Sequence, residues 1–262
     1  MSKSALNPKT GAEQAPVSDL PLFFKKPVPL DVTRHAKAAL LQSQDATFAV
    51  ATNSIVVNVA EFFEAAKYYP IVFLQAESPL PVAILGLEQK NYFVNSKGRW
   101  KDGTYVPAYV RKYPFILMDI PERKEFALCI DEAAPQFKAS GAKGALTLFE
   151  DDKPTEATRN ALEFCTAYQN HYQITRAFCE GIRDAGLLMP TRSDIKLANG
   201  REIHLGGFFA IDEKKVGELS DETIVDFHKK GWLPLIYASL ISYSNWKLLV
   251  DMASEEDKSK AS

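Results

Sequence analysis

The chain has 262 residues, 46% hydrophobic and 24% charged, the balance of an ordinary globular protein that buries roughly 70 to 75% of its unfolded surface. A formal charge of -2 and a pI near 6.1 offer no long-range attraction to polyanions, which argues against nucleic acid as a partner. The length suits one large domain or two closely packed lobes, residues 20–150 and 154–252.

Residues 1–19 carry Lys3 and Lys9 but no apolar run of the length a secretory signal needs, so they read as a disordered leader and the expected compartment is the cytoplasm. The globular region then begins with β-prone runs at Thr47–Ala51 and Ile55–Val57. Asn58 caps a helix from Val59 to about Lys67, with Glu61 at the capping-box position and Val59, Phe62, Phe63 and Ala66 on one face. The runs Pro70–Gln75, Val82–Leu87, Tyr92–Val94, Ile116–Ile120 and Phe126–Ile130 predict an antiparallel meander, with Pro121–Lys124 as its last turn and five or six strands in all.

From Pro154 the period becomes helical. Leu162, Cys165, Tyr168, Tyr172, Thr175, Phe178, Cys179 and Ile182 recur at three to four residues, and Gly186 is placed as a C-terminal cap. Asn199-Gly200, between Asp194–Leu197 and Glu202–Leu205, predicts a type I′ hairpin turn. Gly206-Gly207 leads to one more strand, Phe208–Ile211. Ser220 caps a helix through Lys230 that stops at Gly231, and Pro234 opens a last helix ending near Met252, with residues 253–262 as a frayed, disordered tail. The fold class is α+β: a mainly antiparallel sheet with a long helix and C-terminal helices packed on it.

The segment Leu233–Val250 is the most apolar, but Ser239, Ser242, Ser244, Asn245 and Lys247 make it a packed helix rather than a membrane span. Cys129, Cys165 and Cys179 form no CxxC pair, and an odd number argues for free thiols. No dinucleotide, P-loop, nucleophile-elbow, HExxH or EF-hand motif occurs, and the four histidines have no second ligand at metal spacing, so no cofactor and no metal are expected. His204 stands out because it lies in a strand beside Gly206-Gly207, where glycines let a ligand approach.

The densest chemistry lies in Gly98–Phe115, where Arg99, Lys101, Arg111 and Lys112 interleave with Trp100, Tyr105, Tyr109 and Tyr113. Such a mixture holds sugar-like or anionic ligands by stacking and charge-assisted hydrogen bonds; the competing reading is a loop whose aromatics plug the sheet while its charges are solvated. The candidate ligand-binding residues are Trp100, Tyr105, Tyr109, Arg111, Tyr113 and His204. Arg111 is expected to be buried among Tyr105, Tyr109 and Tyr113, which would require a carboxylate partner or an anionic ligand. The sequence points to no catalytic residue.

The run YYPIVF, the GRW…YVPAYVRKYPF stretch and GGFFAIDEKKVGELSDE…GWLPLIYASLISYSNWKLL together resemble the bacterial SapC-like family over roughly Leu20–Asp251. The resemblance implies a connection with surface-layer or nutrient-uptake biology and supplies no catalytic residues. It points to a non-enzymatic binding or accessory protein with a small ligand or a protein partner. Two other readings compete with it: an enzyme of unrecognised type with Trp100, Tyr105, Arg111 and His204 in one pocket, and a subunit that forms a homo-oligomer through its C-terminal helix.

Overall fold

The computed structural model describes residues 20–75, 77–120, 125–139, 142–197 and 200–261. The expected leader at 1–19, the turn Pro121–Lys124 and Asn199 lie outside the described residues. In chain order the strands are β1 (Pro27–Pro29), β2 (Ala38–Leu41), β3 (Ser54–Val56), β4 (Ile71–Leu74), β5 (Leu80–Ile84), β6 (Phe115–Ile120), β7 (Glu125–Asp131), β8 (Phe137–Ala139), β9 (Ala145–Thr147), β10 (Phe149–Glu150), β11 (Lys153–Pro154), β12 (Leu188–Lys196) and β13 (Glu202–Ile211). The helices are α1 (Val32–His35), α2 (Phe62–Ala65), α3 (Ala108–Arg111), α4 (Glu156–Asp184), α5 (Glu213–Gly217), α6 (Asp221–Lys229), α7 (Trp232–Ser242) and α8 (Trp246–Ala261).

Among the described residues the strands form antiparallel sheets of α+β type. The largest has the order β12-β13-β4-β5-β3, while β1-β7-β6 and β8-β2-β9 form two smaller ones. The predicted meander is thus divided: β4 and β5 are central in the large sheet, and β6 and β7 pair elsewhere. Ile71, Val72, Phe73, Val82 and Ala83 are all buried, so β4 and β5 read as continuous apolar runs, as strands covered on both faces do. Helix α7 lies against β4 and β13, and α4 against β5 and β6. Ile55, Ile71, Phe178 and Ile236 share one core, so side chains from both halves of the chain meet there.

The 29-residue α4 spans about 44 Å and ends as predicted: Gly186 takes φ +68°, and Leu187 N–H donates to Ile182 O at 3.0 Å. Gly181 sits within it because a β-carbon there would lie 2.0 Å from the Trp232 ring. Cys129, Cys165 and Cys179 are buried free thiols.

Three local expectations are corrected. Thr47–Ala49 is a 3-10 turn rather than a strand: Ala49 N–H donates to Ala46 O at 2.9 Å and Thr47 N–H to the Asp45 carboxylate at 2.8 Å, both local turn contacts. Tyr92–Val94 contributes a single bridge, Val94 to Trp100. The hairpin between β12 and β13 closes through Leu197 N–H to Arg201 O at 2.8 Å. Gly200 takes φ +84° there; the turn expected at Asn199-Gly200 rests on residues outside those described. The last helix is broken at Tyr243–Asn245. There the Tyr243 hydroxyl accepts from Ile211 N–H at 2.8 Å and Asn245 Nδ2 donates to Ala66 O at 2.7 Å. Beyond the break α8 runs to Ala261, with Lys90 paired to Glu256 and Arg201 to Asp257.

Among the described residues no helix is long and apolar enough to cross a membrane. The polar residues of α7 account for themselves: Ser242 Oγ accepts from Ile71 N–H at 2.9 Å and Ser239 Oγ donates to Ile71 O at 3.2 Å. Tyr237 and Ile241 of the same helix face outward, 53% and 67% exposed.

Candidate ligand-binding cleft

The Gly98–Phe115 segment is anchored by a buried polar network that starts at α2. Glu61, at the start of that helix, accepts Asn58 N–H at 3.0 Å, the Tyr105 hydroxyl at 2.9 Å and Ala108 N–H at 2.6 Å. One carboxylate therefore caps two helix starts. Tyr69, fully buried, donates its hydroxyl to Tyr105 O and accepts Trp100 Nε1–H at 3.2 Å. Trp100 in turn stacks on Phe93 with ring centroids 6.5 Å apart. Burial raises the Tyr69 hydroxyl above its ordinary range, and burial together with the Glu61 carboxylate pushes Tyr105 up to about 12.

This framework forms one wall of a cleft of about 510 Å³. Trp100, Arg111 and Tyr113 line it with Arg99, Lys101 and Asp102, and the chain from Leu40 to Ala46 supplies Gln42, Ser43 and Asp45. Arg111 is exposed, contrary to the expectation of burial. It donates from Nε to Val106 O at 3.0 Å and from its terminal nitrogen to the Tyr105 hydroxyl at 3.1 Å, and its guanidinium lies 5.2 Å from the Phe164 ring. Side-on packing, not a carboxylate, holds it, because the short α3 leaves its outer face to solvent. Among the described residues no carboxylate forms an ion pair with Arg99, Lys101 or Arg111.

The other expected site residues divide by environment. Tyr113 is buried with Phe23, Phe24 and Phe48, and its hydroxyl donates to Asp131 at 3.1 Å. Tyr105 touches the cleft through Arg111. Tyr109 lies on the far side of α3, in a second pocket of about 220 Å³. His204 lines neither space. It is 61% exposed and pairs through Nδ1 with Asp194 at 2.7 Å, across the hairpin.

Two residues of these spaces are not among the candidate ligand-binding residues. Gln136, 7% exposed, lines the cleft, and its Oε1 has no hydrogen-bond partner among the described residues, although Nε2 reaches Asp45 O at 3.4 Å. Nothing in the local sequence signals it, since it arrives by folding from residues after β7. Lys112, 4% exposed, turns away from the cleft into the second pocket. Tyr109 and Ile116 on its own stretch and Cys165, Tyr168 and Tyr172 of α4 surround it there, a meeting that no local spacing announces because α3 ends at Arg111 and Ile116 belongs to β6.

Among the described residues no cluster of His, Cys, Asp or Glu has metal-binding geometry. No curated protein and no solved structure matches the chain. The family model described as SapC matches residues 30–249, a span that contains both walls of the cleft and the whole central sheet, and the chain belongs to the SapC family.

Proposed function

We propose that this SapC-family chain is a non-enzymatic binding or accessory protein of bacterial cell-envelope, surface-layer or nutrient-uptake biology. Its cleft takes a small hydroxylated anion such as an acidic sugar. The observation that carries this reading is Gln136, a residue of the cleft wall whose buried Oε1 has no hydrogen-bond partner among the described residues, beside Arg99, Lys101 and Arg111, which form no ion pair among those residues. A buried unsatisfied acceptor costs about 1–3 kcal/mol, and a ligand hydroxyl would recover it. Arg111 and Lys101 would meet the negative charge, and Trp100, a largely buried residue of the cleft wall, would pack against the ring. His204, which the enzyme reading groups with Arg111, pairs with Asp194 across the hairpin.

Thermal shift and calorimetry with glucuronate, with glucose as the uncharged control, test the proposal. Glucuronate is expected to bind more tightly, with Arg111→Met abolishing the preference and Gln136→Leu weakening both sugars about tenfold. Failure of both sugars and of simple carboxylate anions to bind would discard it. The exposed Tyr237 and Ile241 support a second reading, assembly through α7. Light scattering across a concentration series distinguishes it: Ile241→Lys should shift a dimer to monomer.

A further inference from the structure

Adjacent cations on α3 and its C-terminal cap serve different spaces, and Lys112 is the one the cleft does not use. Its Nζ lies 4.1 Å from the Tyr109 ring centroid, 5.1 Å from Phe24 and 5.4 Å from Tyr168. Among the described residues no carboxylate pairs with it and no hydrogen bond reaches Nζ; burial weakens its hold on the proton, and the Cys165 thiol opposes this. Aromatic faces attract the charge of an ammonium but do not accept its three N–H donors as oxygen does. A buried cation left in that state is costly.

The pocket beside it has a volume of about 220 Å³ and is lined mainly by Val56, Leu80, Ile116, Leu117, Cys165 and Tyr172, with Gln169 also on its wall. An apolar cavity of roughly 150 Å³ already holds a benzene molecule, so a ring with a short arm fits. We infer that this pocket is a second binding site, separate from the cleft, for a small apolar carboxylate, its oxygens accepting from Lys112 and its hydrocarbon body lying between α4 and β6. The aromatic cage positions the ammonium at the polar end of an otherwise apolar chamber, which gives the ligand one orientation.

Calorimetry on the full chain with 3-phenylpropionate, and with 3-phenylpropanamide as the uncharged isostere, tests this. The carboxylate is expected to bind at least tenfold more tightly than the amide, and Lys112→Met should remove that advantage while leaving amide binding unchanged. Arg111→Met should change neither, which separates this pocket from the cleft and keeps the two proposals independent. Gln169→Trp obstructs the pocket without touching the ammonium and should weaken both compounds at least tenfold, so the idea stays testable if Lys112→Met folds poorly. Equal affinity for acid and amide, wild-type affinity for the acid in either pocket variant, or no binding of the acid at millimolar concentration would overturn it.

Discussion

Arg111 and Lys112 are neighbours with the same charge, and their environments dictate opposite responses to removal of that charge. Arg111 is solvated and donates two hydrogen bonds to uncharged acceptors. Arg111→Met is therefore expected to cost no more than about 1 kcal/mol, far below the loss that follows when a buried ion pair is broken, and a urea titration checks it. Lys112 is desolvated, which lowers its pKa from the ordinary 10.5 to about 8. The folded chain bears the full cost of the buried charge below pH 8, and the cost fades between pH 8 and 10.5 as the folded state releases its proton before the unfolded one does. Lys112→Met should thus be more stable than wild type by about 1–3 kcal/mol at pH 7, with the gap closing by pH 10. The tyrosines of the cage, Tyr109 and Tyr168, are pushed upward by burial, so they remain neutral across that window. Urea midpoints at pH 7, 8.5 and 10 decide it, and a gap independent of pH would contradict the buried-charge account.

At the scale of elements, α4 and α7 are held by small residues at close approach. Gly181 admits the Trp232 ring, and Gly181→Ala places a methyl 2.0 Å from a ring carbon. The helix propensity gained is about 1 kcal/mol, but forcing the ring aside costs more. A net loss of about 1–3 kcal/mol is expected, with a lowered Tm as the readout. Ser242 satisfies the backbone of β4 at Ile71; Ser242→Ala orphans that N–H and should cost about 1–3 kcal/mol. Hydrogen exchange at Ile71 would accelerate in the variant if the hydroxyl is its protector. Neither contact follows from helical periodicity, which marks a face but not what the face meets.

For the molecule as a whole, the first described segment is fastened to the smaller sheet by acidic residues at the end of β7 and just after it. Asp131, fully buried, accepts the backbone N–H groups of Lys25 and Lys26 at 3.0 and 2.8 Å. Glu132 pairs with Arg34 at 2.7 Å and Lys26 at 2.8 Å. Hydrogen bonds from Arg34 and Lys26 hold the Glu132 carboxyl near 2, below its ordinary 4.5. Because its folded pKa is depressed, the stabilisation from Glu132 is complete above pH 4.5 and is lost as the pH falls towards 2. Wild type should exceed Glu132→Gln in stability at pH 6, and the difference should shrink towards zero near pH 2. Thermal unfolding of the pair at pH 6, 4 and 2 measures it.

Local chemistry was legible in the sequence wherever neighbours along the chain decide the outcome. The cap at Gly186, the capping role of Glu61, the runs that became β4 to β7, and the length of α4 all follow from backbone conformation and periodicity. The family, too, was readable, because its motifs are contiguous stretches. The failures share a cause. Thr47–Ala49 became a turn because Asp45 and Ala46 draw its backbone, the final helix broke where Asn245 and Tyr243 reach α2 and β13, and Arg111 came out exposed because α3 has a single turn. What Gln136 and Lys112 face was decided by tertiary structure alone: a partner for a polar group is a question of distance, and residues such as Gln136 and Asp45 are brought within reach only when the chain closes on itself.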